Sequence, residues 1–581
     1  MQVIETPVGN ITTEPIDDVP LLVALLQKMG VAPLLDKHFP SHGNWQGLSL
    51  GNIVVLWLTY ILSQGDHRLN ALQGWVAKLL ETLKFYMGFP NLRELDCSDD
   101  RLGIVLERLG KDDAAWEAFE QEHTATLLRV YDLDAKRVRI DSTTMKSYTE
   151  VKDGGLFQFG YSKENRPDLP QIKINQAVLD PLGMPLSVSI VSGECADDPL
   201  YVPEIRKVQA SLGKHGVLYV GDCKMASLET RAYIASSKDH YLCPLPSVKM
   251  SAADLKAILA PVWTGVQPLT AVQRAPVTAP DKPVHIADGF SYQVTMKVGD
   301  IEWQENRLAV KSLKHAKAKQ KALDNHLQKA EQEIAALNLR GRGRKNRTQE
   351  ETQTEVNAIL KRQDVVGLLN IDYKIESKTT HKRGYFGQPG QYITTVNVTV
   401  CTERNDMAYK EAVQYLGWRV YVCNDPGMSM EDAVLAYREE YIIERGFNRF
   451  RGEKLCMTPL FLNSTTRIKG LIRLLSIGLR ALCLVEHTVR DALREKNEKL
   501  DQIYEGNPKR ATDRPTTEMM LKAFRGINRV VVNINETVKH ISVTPLNTVQ
   551  VRILGLLGMP LTIYQGFGAK CQEAAFEMSE P

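Results

Sequence analysis

The hydrophobic pattern changes its period near residue 136, and this change most constrains what the chain can fold into. From Asp17 to Val130, apolar residues recur at helical spacing, for example Leu21, Leu22, Leu25, Leu26 and Met29. Short strand-like runs follow, separated by turn residues, and they predict strands over 137–140, 171–179, 186–191 and 217–220. The sequence therefore predicts a helical region followed by an α/β region whose mixed sheet begins near residue 136.

Later segments indicate an insertion between two parts of this α/β region. From about Tyr241 to Gly417, strand-like pieces alternate with a long charged helical stretch, Asn306 to Leu337. A strand over Trp418–Cys423 and a helix over Met430–Lys454 come next, and the chain is helical again from Thr465. A chain of 581 residues is too long for one core. We expect a helical region 1–130, a first core part 131–240, an inserted domain 241–417, a second core part 418–464 and a helical region 465–581.

No segment predicts a membrane span. The apolar run Ile53–Leu62 is too short to cross a bilayer, and Ile472–Val485 is interrupted by Arg473 and Arg480. The first residues lack the basic and apolar regions of a signal peptide. The nine cysteines form no Cys-x-x-Cys pair, which argues against a disulfide framework and a structural zinc site. We therefore expect a cytoplasmic protein.

Any surface for a polyanion must be local, because 72 Lys and Arg residues are almost balanced by 69 Asp and Glu residues. The clearest candidate is a basic, glycine-bearing tract whose cations are Arg340, Arg342, Arg344, Lys345 and Arg347. These side chains are candidate phosphate contacts. The alternative is a solvated loop, since charge runs are common on protein surfaces.

Two aspartates are candidate metal ligands. Asp141 follows the apolar run that ends at Ile140, and Asp222 follows the run Val217–Gly221, so both are predicted where strands stop. Cleaving or transferring a phosphodiester at neutral pH requires an activated oxygen nucleophile and stabilisation of the leaving oxygen, which two divalent ions can provide. Hard cations such as Mg²⁺ prefer carboxylate oxygens. Taken alone, however, each aspartate is more often a turn or capping residue.

A third candidate, Glu444, lies in the helix predicted over 430–454. Positions seven apart return to nearly the same stripe of a helix, so Tyr437, Glu444 and Arg451 are predicted to share one face. The alternative is a surface ion pair of Glu444 with a nearby arginine, and Glu440 or Glu453 compete for the role.

Together these residues resemble the DDE transposases of bacterial insertion sequences. The shared features are a strand-borne Asp followed by Ser and Thr, a Gly-Asp at a later strand, an insertion, and a helix with the Tyr-x2-Arg-x3-Glu-x6-Lys signature. In this chain the signature runs Tyr437, Glu440, Glu444 and Arg451. The spacing is kept, but Glu440 replaces the usual Arg and reverses its charge, whereas Arg451 replaces the usual Lys and preserves it.

The loop Gly160–Gln171 is similar to the Gly-Tyr-Ser-Lys-x-x-Arg-Pro-Asp-Leu-Pro-Gln segment of one branch of these enzymes. This is the most specific match, and the resemblance extends over nearly the whole chain. It makes Lys163 and Arg166 candidate contacts to the scissile or flanking phosphates. The alternative for Arg166 is structural, namely that it holds the loop against a carboxylate.

The resemblance implies an RNase H-like mixed-sheet core, interrupted by an inserted domain and flanked by helical regions, the first of which binds DNA ends. Asp141, Asp222 and Glu444 would hold two Mg²⁺ ions, for which Mn²⁺ can substitute, and Tyr437 and Arg451 would position DNA or the carboxylate. Such an enzyme binds terminal inverted repeats, cleaves the DNA and joins the 3′ ends to target DNA. Pairing two ends implies at least a dimer.

Two other functions remain open from the sequence. The first is a transposase-derived DNA-binding protein that no longer cuts, which the replacement at Glu440 favours. The second is a stand-alone nuclease of the same fold, which would cut DNA without joining it. The presence of all three acids favours activity.

Overall fold

The computed structural model describes residues 9–163, 165–246, 250–275, 282–339, 347–384, 387, 389–534 and 537–566. The chain is mixed α/β, as predicted, and divides into two compact units. Unit 1 comprises Met1–Leu242, Lys297–Ile301 and Ala436–Pro581, and unit 2 comprises Cys243–Met296 and Glu302–Leu435.

The N-terminal part of unit 1 is a strand followed by helices, in agreement with the helical periodicity. Ser49 begins the most buried of these helices, since its side chain accepts a hydrogen bond from the backbone amide of Asn52, and Gly65 ends it with a φ of 68°. Trp57 lies at its centre, fully buried. The elements are β1 (Gly9–Pro15), α1 (Val19–Lys28), α2 (Val31–His38), α3 (Leu50–Gln64), α4 (Leu69–Lys78), α5 (Leu80–Met87), α6 (Asp99–Lys111) and α7 (Asp113–Val130).

The mixed sheet of unit 1 follows directly. Its elements are β2 (Arg137–Lys146), β3 (Gln171–Leu179), β4 (Met184–Ser192), α8 (Tyr201–Leu212), β5 (Leu218–Gly221), α9 (Leu228–Ser236) and β6 (His240–Pro244). The strand order is β4-β3-β2-β5-β6. The pairs β3–β4 and β2–β3 are antiparallel, whereas β2–β5 and β5–β6 are parallel. β2 is therefore the strand at which the sheet changes from antiparallel to parallel pairing.

Unit 2 contains strands, a long hairpin and helices. Its elements are α10 (Ala252–Trp263), β7 (Thr270–Arg274), β8 (Val284–Val298), β9 (Ile301–Ser312), α11 (Leu313–Leu337), α12 (Gln349–Arg362), β10 (Leu369–Lys382), β11 (Gln391–Arg404), α13 (Asp406–Gln414) and β12 (Trp418–Cys423). One apolar cluster joins α11, α12 and the base of the β10–β11 hairpin through Leu327, Ile334, Val356 and Val400. A second one, containing Leu259, Phe290, Ala309 and Val420, joins α10 to the strands.

The remaining elements are α14 (Met430–Arg438), α15 (Tyr441–Arg451), α16 (Thr465–Glu495), α17 (Thr517–Lys522), β13 (Asn528–Ile534), β14 (Thr537–Val543) and α18 (Thr548–Leu556). The 31-residue helix α16 is buried over most of its length. β13 pairs with both β1 and β14. This small sheet differs from the helical pattern expected for 465–581, because its strands are held by pairing with a segment at the other end of the chain.

Three element boundaries differ from the sequence-based expectations. β2 continues to Lys146 rather than stopping at Ile140, because it pairs with β3 from Val138 to Lys146. Residues 306–312 belong to β9 and not to the long helix, since residues 306–311 pair with β12. The helix expected over 430–454 is two helices, α14 and α15, separated by a turn at residues 439 and 440.

Within the described ranges, no single helix is long and apolar enough to cross a membrane. The bent pair α1 and α2 reaches that length and composition only when its two helices are taken together.

Candidate active site

Asp141 and Asp222 are brought together by the parallel pairing of β2 with β5. The register places Ile140 opposite Gly221, so the two aspartates occupy the next position on each strand. β5 ends at Gly221, and Asp222 therefore follows a strand end, as the sequence predicts. Asp141 does not, because β2 continues for five more residues in its antiparallel pairing with β3. The prediction that both carboxylates stand at strand ends is thus wrong for Asp141.

Helix α15 covers the face of the sheet that carries Asp141. Side chains alternate between the two faces of a strand, so Asp141 shares its face with Arg139. Val178 on β3 pairs with Arg139 and lies on the same face. Ile443 and Phe447 of α15 pack against Val178 in one apolar cluster. The acids at the start of α15 are therefore carried to the side of the sheet on which Asp141 projects.

Two acids are candidates for the third metal ligand: Glu440, which immediately precedes α15, and Glu444, in its first turn. A small cleft contains Asp141, Asp222, Tyr437 and Glu440, but not Glu444. Partial burial raises the pKa of Glu440, and the charges of Asp141, Glu444 and Asp222 raise it further. Glu440 therefore lies within the electrostatic field of the other three carboxylates, and it lines the same cleft as the two aspartates.

Asp141 is held in a setting that opposes its ionisation. Burial raises its pKa to about 6, and the nearby charge of Asp222 contributes in the same direction. Lys163 opposes this shift, since its Nζ lies 3.4 Å from Asp141 Oδ1. The same ammonium also donates to the main-chain carbonyl of Ser142. The loop that carries the most specific sequence match thus reaches Asp141.

Asp222 is oriented by the hydroxyl of Tyr201, a residue that no pattern in the sequence singles out. The Tyr201 hydroxyl donates a hydrogen bond of 2.6 Å to Asp222 Oδ1, and the backbone amide of Lys224 donates one of 2.8 Å. Burial raises the pKa of Tyr201 well above its usual value, and the charge of Asp222 adds to that shift. A Cβ at Gly221 would lie 3.1 Å from the Tyr201 ring and 2.8 Å from Met225 Sδ, so glycine is required there for the ring to approach the strand.

Arg139 is a second residue that sequence reasoning missed. Its guanidinium is buried, forms an ion pair of 2.6 Å with Asp180 and donates to the main-chain carbonyl of Ala436. Glu439 lies 3.6 Å away. Arg139 therefore fixes the turn between α14 and α15 that positions Glu440. One signal in the sequence could have identified it: Arg139 stands between the apolar residues Val138 and Ile140. A charged side chain in such a strand requires a partner if it is buried.

The outer members of the signature lie in different helices. Tyr437 belongs to α14 and Arg451 to α15, so the single face predicted for Tyr437, Glu444 and Arg451 is interrupted by the turn at residues 439 and 440. Tyr437 nevertheless lines the cleft. Arg451 donates to Thr143 Oγ1 at 2.9 Å and to the Thr144 carbonyl at 2.8 Å, which ties the end of α15 to β2.

The remaining predicted DNA contacts are distributed differently. Arg166 forms a two-pronged ion pair with Asp168, with distances of 2.7 and 2.8 Å, as its structural alternative anticipated. Arg347 lies just before α12 in unit 2. The other candidate cations, Arg340, Arg342, Arg344 and Lys345, lie outside the described residues.

The carboxylate oxygens of the cleft are of the kind that a hard divalent cation prefers, but they are too far apart in the described residues for three carboxylates to bind one together. Across the described part of the chain, no three His, Cys, Asp or Glu side chains are close enough together to hold a metal ion. Asp141 and Asp222 stand at adjacent register positions, and their mutual repulsion raises the pKa of Asp141. A cation between them would relieve this repulsion, since carboxylate oxygens are the ligands that Mg²⁺ prefers.

No protein-family model and no curated protein matches the chain. Among solved structures, the chain is similar to a piggyBac transposase in a cryo-EM structure of its synaptic complex with hairpin DNA. The match has 9% sequence identity and a TM-score of 0.35, and it covers 88% of this chain and 81% of that one. A similarity this low is not evidence for a fold or a function.

Proposed function

We propose that the chain is a metal-dependent DNA transposase of the DDE group with the Tyr-x2-Arg-x3-Glu-x6-Lys signature. The observation that carries the proposal is the placement of Asp141 and Asp222 on neighbouring parallel strands, beneath a helix that brings further acids to the same face. An RNase H-like core requires this arrangement of its three acids. The change from antiparallel to parallel pairing at β2 supports the same fold assignment.

In this proposal Asp141, Asp222 and Glu444 hold the metal, Mg²⁺ or Mn²⁺. Bound divalent ions would supply an activated water or 3′ hydroxyl as the nucleophile, and they would stabilise the leaving oxygen. Asp141 must lose its proton to act as a ligand, and Lys163 favours that ionisation. Tyr201 fixes the orientation of Asp222, since its hydroxyl occupies one carboxylate oxygen. Glu440 adds a fourth acid in place of the usual Arg, at the edge of the same cleft.

The DNA partners are the terminal inverted repeats of the element and a target duplex, and a dimer or larger assembly pairs the two ends. Lys163 is the cation best placed to contact a phosphate at the site, because it lies beside Asp141 on a partly exposed loop. The basic tract at 340–347 is a further phosphate contact in this proposal, and Tyr437 and Arg451 position the carboxylate of α15 or the DNA. The flanking DNA of the gene supplies the repeats needed for a test.

The experiment combines end binding with cleavage on duplexes that carry those flanking repeats. Asp141→Asn, Asp222→Asn and Glu444→Gln should each lower Mg²⁺-dependent cleavage by about 100-fold or more, while the Kd for the uncut end changes less than about threefold. Asp491→Asn, an acid exposed on α16, is the matched control and should cleave normally. Cleavage retained by two of the three variants would contradict the assignment.

The same substrates separate the other two functions. A pre-cut end is supplied together with a supercoiled target, and joined products are measured. A transposase joins the 3′ end to the target, whereas a stand-alone nuclease cuts but does not join. A DNA-binding protein that has lost its activity binds the repeats and does neither.

A further inference from the structure

A groove of about 900 Å³ lies beyond the end of β2, within unit 1. One wall is the end of β2 and the segment after it, and the opposite wall is the segment between α15 and α16. The groove is lined mainly by Met145, Lys146, Tyr148, Lys152, Arg451 and Leu460. Apart from Arg451, which belongs to the signature, these residues have no role in the proposed catalytic chemistry or in the sequence motifs.

The groove is connected to the acid cleft by one strand and one helix. Met145 lies four residues after Asp141 on β2, which at about 3.3 Å per residue is roughly 13 Å. Arg451 lies at the end of α15, whose first turn carries Glu444, and it is hydrogen-bonded to Thr143 and Thr144 between the two places. The groove and the cleft therefore lie along the same strand, β2, and are joined by the same helix, α15.

The groove combines cations, an apolar floor and an exposed aromatic ring. Lys146, Lys152 and Arg451 carry positive charge, against the one negative charge of Glu150. The side chain of Tyr148 is 85% exposed. Arg166 lies near its hydroxyl, while the guanidinium itself is hydrogen-bonded to Asp168.

We infer that this groove binds a short single-stranded segment of the DNA next to the bond that is cut, with an unpaired base stacked on Tyr148. The inference rests on the proposed function, whose substrate it specifies. A base in a duplex is already stacked on both faces, so only an unpaired base can lie against an exposed aromatic ring. A volume of about 900 Å³ is that of a pocket for a small ligand and suits a few nucleotides rather than a duplex. The cations supply the phosphate contacts.

The inference is tested by fluorescence anisotropy with the full chain, a labelled 12-nucleotide oligo(dT) and a duplex of the same length, in EDTA so that no cleavage occurs. Tyr148→Ala should weaken oligo(dT) binding at least about fivefold, because stacking on the ring is lost. Tyr148→Phe should bind within about twofold of the unchanged protein, since the ring remains. Tyr392→Ala, which removes a tyrosine of similar exposure from the β10–β11 hairpin, is the matched control and should have no effect.

Salt dependence tests the phosphate contacts independently. The slope of log K against log salt concentration should become less steep by about 0.7 for each phosphate contact removed from a single strand. Lys146→Gln and Lys152→Gln should each show this change for oligo(dT). Arg383→Gln, which removes a cation next to the β10–β11 hairpin, should leave the slope unchanged.

The inference is overturned if Tyr148→Ala binds oligo(dT) as the unchanged protein does, or if it weakens duplex binding as much as oligo(dT) binding. Circular dichroism melting of Tyr148→Ala and Tyr148→Phe excludes misfolding as the cause. The proposed function fails separately, through retained cleavage in the acid variants. Loss of oligo(dT) binding in Tyr148→Ala alongside retained cleavage in those variants would uphold the groove and reject the catalytic assignment.

Discussion

The Tyr201 hydroxyl donates a hydrogen bond of 2.6 Å to Asp222 Oδ1, from the first turn of α8 to the residue that follows β5. This contact joins the helix on one side of the sheet to a proposed metal ligand. Residues that orient ligands in this way affect metal affinity without touching the metal.

Tyr201→Phe should therefore raise the Mg²⁺ concentration needed for half-maximal cleavage by about tenfold or more. The measurement is a Mg²⁺ titration of cleavage. Tyr233→Phe is the control, because the Tyr233 hydroxyl donates to Gln209 at 2.8 Å and not to a proposed metal ligand. An equal shift in both variants would show that the effect is not specific to Asp222.

The competition between Glu440 and Glu444 can be resolved by restoring the residue of the signature. If Glu444 is the metal ligand, Glu440→Arg should retain or increase cleavage, since it removes a carboxylate that lies in the field of the other three acids. Glu444→Gln should abolish cleavage. The reverse result, with activity lost in Glu440→Arg and kept in Glu444→Gln, would make Glu440 the third ligand.

Asp141 should lower the stability of the metal-free protein at neutral pH. Its pKa is raised from 3.8 to about 6 in the folded state, so the stabilising effect of its protonated form is complete below pH 3.8 and is lost as the pH rises through 6. Its side chain is 24% exposed, and the difference is therefore discounted to roughly 2 kcal/mol.

Asp141→Asn mimics the protonated form at every pH. In EDTA, its melting temperature should exceed that of the unchanged protein by a few degrees at pH 7 and match it near pH 4. Thermal melts at several pH values measure this difference. A constant offset across the range would indicate a change in packing and not the titration of Asp141.

The fold of unit 1 should depend on a buried ion pair between α7 and α16. The Arg480 side chain is 0% exposed, lies 2.9 Å from Glu120 and donates to the Pro185 carbonyl at 2.9 Å. Burial raises the pKa of Glu120 to about 7, and Arg480 opposes the shift. Removing the arginine leaves this acid buried without its ion-pair partner, with the backbone amide of Val188 still donating to it at 3.2 Å.

Arg480→Met should destabilise the protein by about 3 to 5 kcal/mol, as breaking one half of a buried pair does. Arg494→Met on the same helix should change stability by less than about 0.5 kcal/mol, because that side chain is 73% exposed. Urea unfolding followed by circular dichroism compares them. The double variant Glu120→Gln with Arg480→Met should recover part of the loss, and its failure to do so would argue against an electrostatic cause.

Elements with local signals are predictable from the amino-acid sequence. The strand 171–179 was predicted with its observed bounds, and the strand before Asp222 to within one residue, because apolar runs between turn residues record the period of a strand. The N-terminal helices followed from apolar spacing in the same way. The two aspartates were selected through their strands and through the family resemblance.

The arrangement of the acids depends instead on contacts between segments that are far apart in the chain. Residues 141–146 become strand through pairing with β3, which places Asp141 inside β2 and not at its end. The helix predicted over 430–454 divides at residues 439 and 440, just after the last turn of α14, whose Ala436 carbonyl is held by Arg139, 297 residues earlier in the chain. That turn decides that Glu440 enters the cleft beside Asp141 and Asp222. Such contacts between distant segments leave no periodic pattern in the sequence, because they depend on which elements pack together and not on the spacing of neighbouring residues.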